Sequence, residues 1–598
     1  MKLSKLYTNR PDLFEPLTFN SGLSVVLAEI RLPENRKKDT HNLGKTTLGQ
    51  LIDFGLLAGR KPNFFLFRHS ELFREFVFFL EIEILDSSFV TVRRSVEHHS
   101  RIAFKRHATP GMDLTDLPEA SWDHSDVPFD KAKKLLDGML DLRDLKPWSY
   151  RKVVGYLVRS QYDFEHVFYL RKFAAAHADW KPFLAHLLGF DGKLLRQHYA
   201  KEEELETKRS EERVIERELG GSIADLSKIE GMLLLKQKDA EKRQRLLDDF
   251  DFRQADKRQT KLVVDELDAK IAQLNAERYS LSQAKKKITA SLADDEILFE
   301  PERAAEVFEE VGVLFAGQLK KDFEQLIAFN RAITEERGGY LKEELSEADS
   351  RLKELNTDLQ KLGKRRADAL SFLSTEDVFA KYKALTDELV TLRADITSLV
   401  RQRGFLRRLQ DLRAQIRSLA EEKEHLQSQI EADVERQNSE PESLFSSVRV
   451  FFSEVVEEVI DRKALLSVSP NQKGHLDFKA EILDDSGNAT SADLGNTYRK
   501  LLCVAFDLAV SRAHLPGRYP RFLFHDGVLE SLDDRKKYNL LQVMRSCADL
   551  GIQHIITVID SDLPQPTGTE DRFFTSDDVV LRLHDEGSGG RLFKMRPW

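Results

Sequence analysis

The chain has 598 residues, of which 32% are charged and 41% are hydrophobic, and its formal net charge at pH 7 is −9. This length exceeds what a single hydrophobic core organises, so we expect two to four structural units. The composition excludes a wholly disordered chain and is typical of compact domains combined with long, solvated helices. The negative charge excludes a generally basic surface, so a contact with nucleic acid requires a local patch.

The two cysteines, Cys503 and Cys547, each lie alone in an apolar segment, and the sequence contains no CxxC pair. This pattern predicts small core residues rather than a zinc site or disulfides. The amino-terminal residues lack the apolar stretch of a signal peptide. The longest apolar run, around 76–85, is interrupted by Glu81 and Glu83 and is too short to cross a bilayer. We therefore expect a soluble, cytoplasmic protein without a membrane partner.

Residues 1–195 mix strand and helix patterns. A buried strand is predicted from Ser24 to Ile30, and an amphipathic helix follows from about Leu48 to Leu56. A meander of short strands rich in Phe, Val and Ile is predicted next, at 76–85, 89–96 and 101–105. From about Asp130 the pattern becomes helical. We expect this zone to form one part of an α/β domain.

The segment that opens the amphipathic helix, residues 39–48, has the features of a phosphate-binding loop. Such a loop needs inward-pointing backbone N–H groups, a lysine for the outer phosphates and a hydroxyl for Mg²⁺. The segment departs from the usual G-x-x-x-x-G-K-[ST] pattern because Asp39 takes the position of the first glycine. We assign the following residues to an ATP site, with Thr46 also as a Mg²⁺ ligand: Asn42, Leu43, Gly44, Lys45, Thr46 and Thr47.

Further along this zone, Gln161 lies in the segment 157–162 and resembles the glutamine of a Q-loop. The amide of a Q-loop glutamine reaches Mg²⁺ and the attacking water. An ordinary surface glutamine explains a single residue of this type equally well. We assign Gln161 as a candidate metal ligand and catalytic residue.

Residues 196–440 differ in composition, being rich in Glu, Lys, Arg, Gln and Leu and poor in proline. Apolar residues step by threes and fours, as in Leu341, Leu345, Ala348, Leu352, Leu355, Leu359 and Leu362. A sustained seam with charged flanks indicates a coiled coil. Because the seam is absent from the centre of the zone, we predict a first arm at 196–292, a tip at 293–320 and a second, antiparallel arm at 321–440. A parallel homodimeric rod is the alternative.

Residues 441–598 are again typical of a globular domain. Buried strands are predicted at 521–524 and 555–559, and a buried helix at 501–513. The segments Leu581–Leu583 and Leu592–Met595, on either side of a glycine-rich stretch, predict a terminal hairpin.

The strand at 521–524 continues into His525 and Asp526. A buried strand that ends in an acid is what a Walker B aspartate requires, and we assign Asp526 as a Mg²⁺ ligand. Seven residues on, Asp533 matches the D-loop that follows Walker B in ABC ATPases. Gly527 occupies the position of the usual water-polarising glutamate, and Glu530 is the candidate that replaces it. An ordinary core strand that ends at a loop is the alternative for this segment taken alone.

Gly495, Asn496 and Thr497 precede the predicted helix at 501–513. In ABC ATPases a Ser/Gly-rich signature opens such a helix, and its amino terminus contacts the γ-phosphate held by the opposite subunit. The segment here is a degenerate form of that signature. A plain helix cap explains it as well.

The order of these segments resembles that of the SMC, RecN, RecF and SbcC group of ATPases. Four segments are more specifically similar to a bacterial family of SMC-like proteins of unknown function, namely 41–48, 506–509, 525–527 and 592–595. That family usually has HDS where this chain has His525-Asp526-Gly527. The resemblance implies an α/β head of the ABC ATPase type, split by a long antiparallel coiled-coil hairpin and carrying a β-meander lobe.

Members of that family are often the ATPase of three-component anti-phage systems related to Lamassu. The resemblance therefore implies ATP and Mg²⁺ as cofactors and a homodimer formed through the heads. It also implies sensing of DNA ends or unusual DNA, and control of a nuclease-like effector with a small accessory subunit. DNA repair or chromosome maintenance is the alternative within the same group of ATPases.

Two further interpretations stay open at the level of sequence. Gly527 and the lack of a switch histidine after Ile559 also fit a non-hydrolytic, ATP-gated scaffold. A purely structural coiled-coil protein would bind no nucleotide. An ordinary P-loop kinase is disfavoured because the coil interrupts the nucleotide site. For DNA contact, the basic candidates on the head are Arg60, Lys61, Arg68, Arg93, Arg94, Arg101, Lys105 and Arg106.

Overall fold

A computed structural model describes residues 1–32, 35, 43–170, 176–218, 225–248, 256–293, 317–371, 376–484, 486–490, 495–564, 573–596 and 598. The chain divides into two compact units. The first combines Met1–Glu203 with Glu421–Trp598, and the second is Glu204–Ala420. We call the first unit the head and the second the helical unit.

The strands of the described ranges all lie in the head. In chain order they are β1 (Lys2–Thr8), β2 (Leu17–Thr18), β3 (Leu23–Glu29), β4 (Val77–Glu83), β5 (Phe89–Ser95), β6 (Arg101–His107), β7 (His124–Pro128), β8 (Val158–Arg159), β9 (Ala464–Pro470), β10 (Leu476–Ile482), β11 (Phe522–Asp526), β12 (Gln553–Ile559) and β13 (Val579–His584).

The α-helices of the described ranges belong to both units. In chain order they are α1 (Lys45–Gly55), α2 (Phe65–Arg68), α3 (Ser70–Phe73), α4 (Phe129–Leu140), α5 (Tyr150–Leu157), α6 (His177–Leu187), α7 (Gly192–Glu218), α8 (Leu226–Asp248), α9 (Asp256–Ala293), α10 (Gly317–Ser371), α11 (Glu376–Ser439), α12 (Leu444–Ile460), α13 (Asn496–Ala513) and α14 (Asp534–Asp549).

The main sheet of the head takes strands from both ends of the chain. Its order is β13-β3-β12-β11-β8, and all neighbouring strands are parallel. Strand β3, near the amino terminus, therefore lies between two strands that follow the coil in sequence. Its residues 23–28 and those of β12 at 553–558 are buried without alternation, as expected for a parallel sheet covered on both faces.

The second sheet is antiparallel, with the order β2-β1-β4-β5-β6-β7. Strands β4, β5 and β6 pair in sequence order, so the predicted meander is confirmed. The amphipathic helix α1 packs between the two sheets. Its glycines allow this close approach, because a Cβ atom at Gly49 would lie 2.6 Å from the ring of Phe524, and one at Gly55 would lie 2.8 Å from Leu80 Cδ2.

In the helical unit, the two arms of the predicted hairpin pair in opposite directions. Lys285 of α9 contacts Asp349 of α10, whereas Glu277, earlier in α9, contacts Arg351, later in α10. The same inverse order relates α7 and α8 to α11, in the pairs Arg413–Glu212, Arg407–Glu230, Lys236–Asp395 and Arg243–Glu388. The predicted fold class, a split α/β head with an antiparallel helical hairpin, is confirmed, in place of a parallel rod.

Four helices of this unit meet in one small apolar cluster. Leu247 of α8, Val264 of α9, Leu370 of α10 and Tyr382 of α11 are buried together. Arg366 lies nearby and contacts Asp268 Oδ1 at 3.0 Å and Asp387 Oδ1 at 2.7 Å. The predicted tip at 293–320 lies almost entirely outside the described residues.

The division into units differs slightly from the predicted domain boundaries at residues 195 and 441. The first turns of α7 and the last turns of α11 belong to the head. Glu202 accepts a hydrogen bond from His475 at 2.7 Å and from Lys423 at 3.3 Å, so this residue of α7 contacts both α11 and the turn between β9 and β10. No helix in the described ranges is long and apolar enough to cross a membrane.

The predicted terminal hairpin is wrong. Strand β13 pairs in parallel with β3, and Leu592–Met595 forms no strand. Instead the backbone N–H of Leu592 donates to Leu43 O at 3.0 Å, and that of Lys594 donates to Leu13 O at 2.8 Å. Because the side chains of Leu592 and Phe593 are buried in the head, core packing decides the path of this segment.

Candidate functional site

Helix α1 and strand β11 meet at a carboxylate. Thr46, in the first turn of α1, donates its hydroxyl to Asp526 Oδ2 at 2.6 Å, across 480 positions of sequence. Thr557 of β12 donates to the other oxygen, Oδ1, also at 2.6 Å. Asp526 is fully buried at the carboxyl end of its strand. A hydroxyl and a carboxylate held this way are oxygen donors suited to Mg²⁺.

The loop before α1 is held by the end of the chain. Gly44 has φ +101°, which favours glycine, and a Cβ atom there would lie 2.6 Å from Leu592 Cβ. Leu43 is buried beside it and accepts the Leu592 N–H described above. Asn42 lies outside the described residues. Thr47 is half-buried in the first turn of α1.

Lys45 begins α1, and its side chain is largely buried. Within the described part of the chain its Nζ atom has no hydrogen-bond partner, and Glu530 Oε1 lies 4.0 Å away. Burial lowers the pKa of Lys45, and the carboxylates of Glu530 and Asp526 oppose that shift. A buried, unpartnered ammonium at a helix amino terminus is suited to a phosphate, because both the charge and the free N–H groups attract an anion.

The carboxylate of Glu530 lies close to Gly527, the position at which the sequence lacks the usual glutamate. Gly527 has φ +65°, and a Cβ atom there would lie 2.5 Å from Glu530 Oε1 and 2.8 Å from Gln161 Nε2. The Glu530 carboxylate therefore fills the volume in front of Gly527. Gln161 donates to Glu530 Oε1 at 2.7 Å, so two predicted catalytic residues meet. Burial raises the pKa of Glu530, and Lys500 and Lys45 oppose that shift.

Lys500 of α13 is a residue of this site that sequence reasoning missed. It donates to Gly527 O at 2.9 Å, and its Nζ atom lies 3.6 Å from Glu530 Oε2. Its side chain is only 15% exposed. The sequence places Lys500 in the helix that follows Gly495, close to the predicted site, but no sequence pattern indicates that its side chain faces Glu530.

A second missed feature is a fully buried network behind the site. Asp507 of α13 accepts hydrogen bonds from Arg159 at 2.6 and 2.9 Å and interacts with His525 Nε2 at 3.2 Å. Arg159 also donates to the backbone oxygens of Asp163 and Val167, which encloses the turn that carries Gln161. One carboxylate thus connects three segments: the strand before the glutamine, the helix α13 and the strand that ends in Asp526.

The predicted signature and D-loop residues lie at helix starts. Gly495 precedes α13 and is exposed, and Asn496 is the first residue of that helix. Thr497 donates its hydroxyl to Ser531 O at 3.4 Å. Asp533 accepts the backbone N–H of Lys536 at 3.0 Å and so caps α14. The contact of Thr497 with Ser531 holds the two segments beside each other, and the contact of Asp533 with Lys536 stabilises the start of α14.

The predicted basic patch of the head is largely neutralised by its own neighbours. Four of its eight residues pair with carboxylates: Arg93 with Glu119, Arg101 with Asp126, Lys105 with Asp123, and Arg106 with Asp86. Arg60 lies over the ring of Phe67. Such pairing reduces the field that a polyanion would meet.

Arg94, a fifth member of that patch, does not reach the surface. It is 1% exposed and donates to Phe54 O at 2.8 Å and Ala58 O at 2.9 Å. Its guanidinium lies 4.0 Å from the ring centroid of Phe54, and burial lowers its pKa to about 9. Arg94 therefore caps the carboxyl end of α1, where free carbonyl groups attract a cation. The interpretation of Arg94 as a DNA contact is wrong.

The carboxy-terminal part of the chain matches a known family. Residues 455–597 match the family described as "Uncharacterised protein conserved in bacteria (DUF2326)". The matched range contains Gly495, Lys500, Asp507, Asp526 and Glu530. No curated protein matches the sequence.

Several solved structures are similar to the chain. The Smc head domain with a coiled coil and joint from Pyrococcus yayanosii is 13% identical, with a TM-score of 0.34 over 93% of this chain and 92% of that one. The Smc head domain with an extended coiled coil bound to the C-terminal domain of ScpA, from Pyrococcus furiosus, is 11% identical, with a TM-score of 0.30 over 94% and 90%. The SmcHead bound to the C-winged helix domain of ScpA is 16% identical, with a TM-score of 0.17 over 22% and 41%.

Proposed function

We propose that the chain is a Mg²⁺-dependent ATPase of the SMC-like kind. The observation that carries the proposal is the 2.6 Å hydrogen bond between Thr46 and Asp526. It joins the helix that follows a GKT loop to the acidic end of a strand, and these two segments are separated in sequence by the whole helical hairpin. A structural coiled-coil protein has no need of such a junction, whereas a phosphate site built from both ends of the chain requires it.

In this proposal ATP lies at the start of α1, where Gly44 and the following backbone N–H groups face its phosphates. Lys45 compensates the charge of the outer phosphates. Thr46 and Asp526 would hold Mg²⁺, and Gln161 would be a further candidate ligand. When bound, Mg²⁺ neutralises charge that develops on the phosphates.

Glu530 is the proposed general base. Its carboxylate lies 2.5 Å from the point at which a Cβ atom at position 527 would stand, and Gln161 donates a hydrogen bond to it. The raised pKa of Glu530 brings its basicity closer to neutral pH, where a general base is most effective. This placement favours hydrolysis over a non-hydrolytic scaffold, even though Gly527 departs from the usual pattern.

Two heads are proposed to close over ATP as a homodimer. Gly495 is exposed just before the long helix α13, and Asn496 and Thr497 begin that helix, which suits this segment to the γ-phosphate bound by the opposite head. Asp533 lies beside that segment through the contact of Thr497 with Ser531. Closure and release of the heads are then the events that ATP controls.

The resemblance to the SMC-like family supports a more specific role. We propose sensing of DNA and control of a nuclease-like effector, with a small accessory subunit, in anti-phage defence. Since five of the eight basic candidates on the head are paired or buried, Arg60, Lys61 and Arg68 are the remaining candidates for phosphate contacts. Reversal of their charges should weaken DNA binding and reduce its dependence on salt.

The test of the proposed function is steady-state ATPase activity of the purified full chain, with and without DNA. Lys45→Ala should abolish nucleotide binding. Glu530→Gln should leave binding intact and lower kcat by about 10² to 10⁴, the usual contribution of a general base. Glu454→Gln, which removes a carboxylate paired with Arg512 on another part of the head, is the matched control. Tight ATP binding with no turnover in the unaltered chain would instead support the scaffold.

A further inference from the structure

Two lysines from opposite ends of the chain share one carboxylate. Lys45 Nζ lies 4.0 Å from Glu530 Oε1, and Lys500 Nζ lies 3.6 Å from Glu530 Oε2. Both side chains are mostly buried, at 13% and 15% exposure. Glu530 therefore stands between the two cations as an internal anion.

Neither contact is optimal for the lysines. At these distances the pairs are ion pairs and not close hydrogen bonds, and no described residue is a hydrogen-bond partner of Lys45 Nζ. A phosphoryl group is similar in size to a carboxylate but carries more charge and a third acceptor oxygen. Such a group placed between the lysines would bind both more strongly than Glu530 does.

We propose that Lys500 recognises the terminal phosphate of ATP by giving up its contact with Glu530 for a contact with that phosphate. This exchange makes the head distinguish ATP from ADP. The inference deepens the proposed function and rests on it. Because Lys45 begins the phosphate-binding helix, the phosphate that reaches across to Lys500 is the outermost one. ADP lacks that group and leaves the pair of Lys500 and Glu530 intact.

The exchange has two consequences for the site. It frees the Glu530 carboxylate from both lysines, so that it faces the attacking water with Gln161. It also moves a residue of α13 whose position lies about one turn after Gly495. Occupancy of a head by ATP thereby orders the helix start that this head offers to its partner, and Lys500 is the connection between the two.

The experiment compares the affinities for two nucleotides. The dissociation constants of Mg²⁺-ADP and of the Mg²⁺ complex of the β,γ-imido analogue of ATP are measured on the full chain by competition with a fluorescent nucleotide. Lys500→Met should weaken the ATP analogue about ten-fold, which corresponds to about 1.4 kcal/mol, and change ADP less than about two-fold. Lys500→Arg keeps the charge and should retain most of the preference.

Arg512→Met is the matched control, since it removes a cation from the same helix where it pairs with Glu454. It should leave both affinities unchanged. Hydrogen exchange of the peptide that contains residues 495–500 gives a second readout. In the unaltered chain, the ATP analogue should protect this peptide from exchange more than ADP does. In Lys500→Met, the two nucleotides should protect it equally.

Equal weakening of both nucleotides by Lys500→Met would overturn the inference, because it would make Lys500 a general support of the site. An unchanged preference for the ATP analogue would overturn it as well. If the unaltered chain binds neither nucleotide, the proposed function itself fails. Lys45→Ala would then bind nucleotide no more weakly than the unaltered chain.

Discussion

Placing a glutamate at position 527 restores the residue that ABC ATPases usually have after the Walker B aspartate. In this chain we expect the substitution to impair the site. A Cβ atom at Gly527 would lie 2.5 Å from Glu530 Oε1, so the new side chain and the existing carboxylate compete for one volume. The backbone at Gly527 is also left-handed, with φ +65°, which is unfavourable for any residue with a Cβ atom.

The structure gives a scale for both effects. The left-handed conformation costs about 1 to 2 kcal/mol for a non-glycine residue. Displacing Glu530 also breaks its bond from Gln161, and a hydrogen bond to a charged group contributes about 1.5 to 3 kcal/mol. Gly527→Glu should therefore destabilise the head by a few kcal/mol. The displaced Glu530 should no longer be oriented as a general base, so kcat should fall by about ten-fold or more.

The second substitution Glu530→Ala should partly reverse this loss. It removes the competing carboxylate, so the glutamate at 527 takes over the same volume, while the backbone cost remains. Gly527→Ala is the control that carries the Cβ atom and the backbone cost without a new carboxylate. The assays are phosphate release at saturating ATP and urea unfolding followed by circular dichroism. A rise in kcat for Gly527→Glu alone, or a double variant no more active than Glu530→Ala, would refute the reasoning.

Two further substitutions test the buried charges. Asp507→Ala leaves Arg159 uncompensated inside the head, so we expect a loss of about 3 to 5 kcal/mol in the free energy of unfolding, measured by urea denaturation; a change below about 1 kcal/mol would contradict this. In the helical unit, burial raises the pKa of Asp268 to about 6, against the opposing charge of Arg366. Because this folded-state pKa exceeds the unfolded value, the contribution of Asp268 to stability declines as pH rises through 6. The thermal unfolding midpoint should therefore fall between about pH 4, near the unfolded pKa, and about pH 6, and Asp268→Asn should lessen that dependence.

The sequence was sufficient where a short pattern determines a local structure. A buried strand followed by Gly44, Lys45 and Thr46 predicted a helix that starts at a phosphate site, and α1 starts at Lys45. Spacing of apolar residues by threes and fours predicted the helical arms, because only helices place such residues on one face. The sequence also predicts an acid at the end of a buried strand, as a Walker B aspartate requires, and Asp526 is buried at the end of β11 beside Thr46.

The remaining features depend on contacts that no local pattern encodes. Apolar residues near a turn predict a strand at Leu592, but its side chain packs on Gly44 near the other end of the chain. The sequence makes Arg94 one of eight basic candidates for DNA contact, yet it is buried and caps α1. Lys500 and Asp507 are single polar residues on a helix, and only the tertiary arrangement gives them partners.

These partners give α13 a specific place in the proposed mechanism. Asp507 ties the helix to the strands that lead to Gln161 and Asp526, so its middle is fixed by the buried ion pair of Asp507 with Arg159 and by the contact of Asp507 with His525. Lys500, nearer its start, contacts Glu530 at the phosphate side and is only partly shielded. A change at the nucleotide therefore acts on the first turns of α13, while the buried carboxylate resists displacement of the rest. On this reasoning the exposed segment at Gly495 responds to ATP without disruption of the core, which is the property that a head engaging a second head requires.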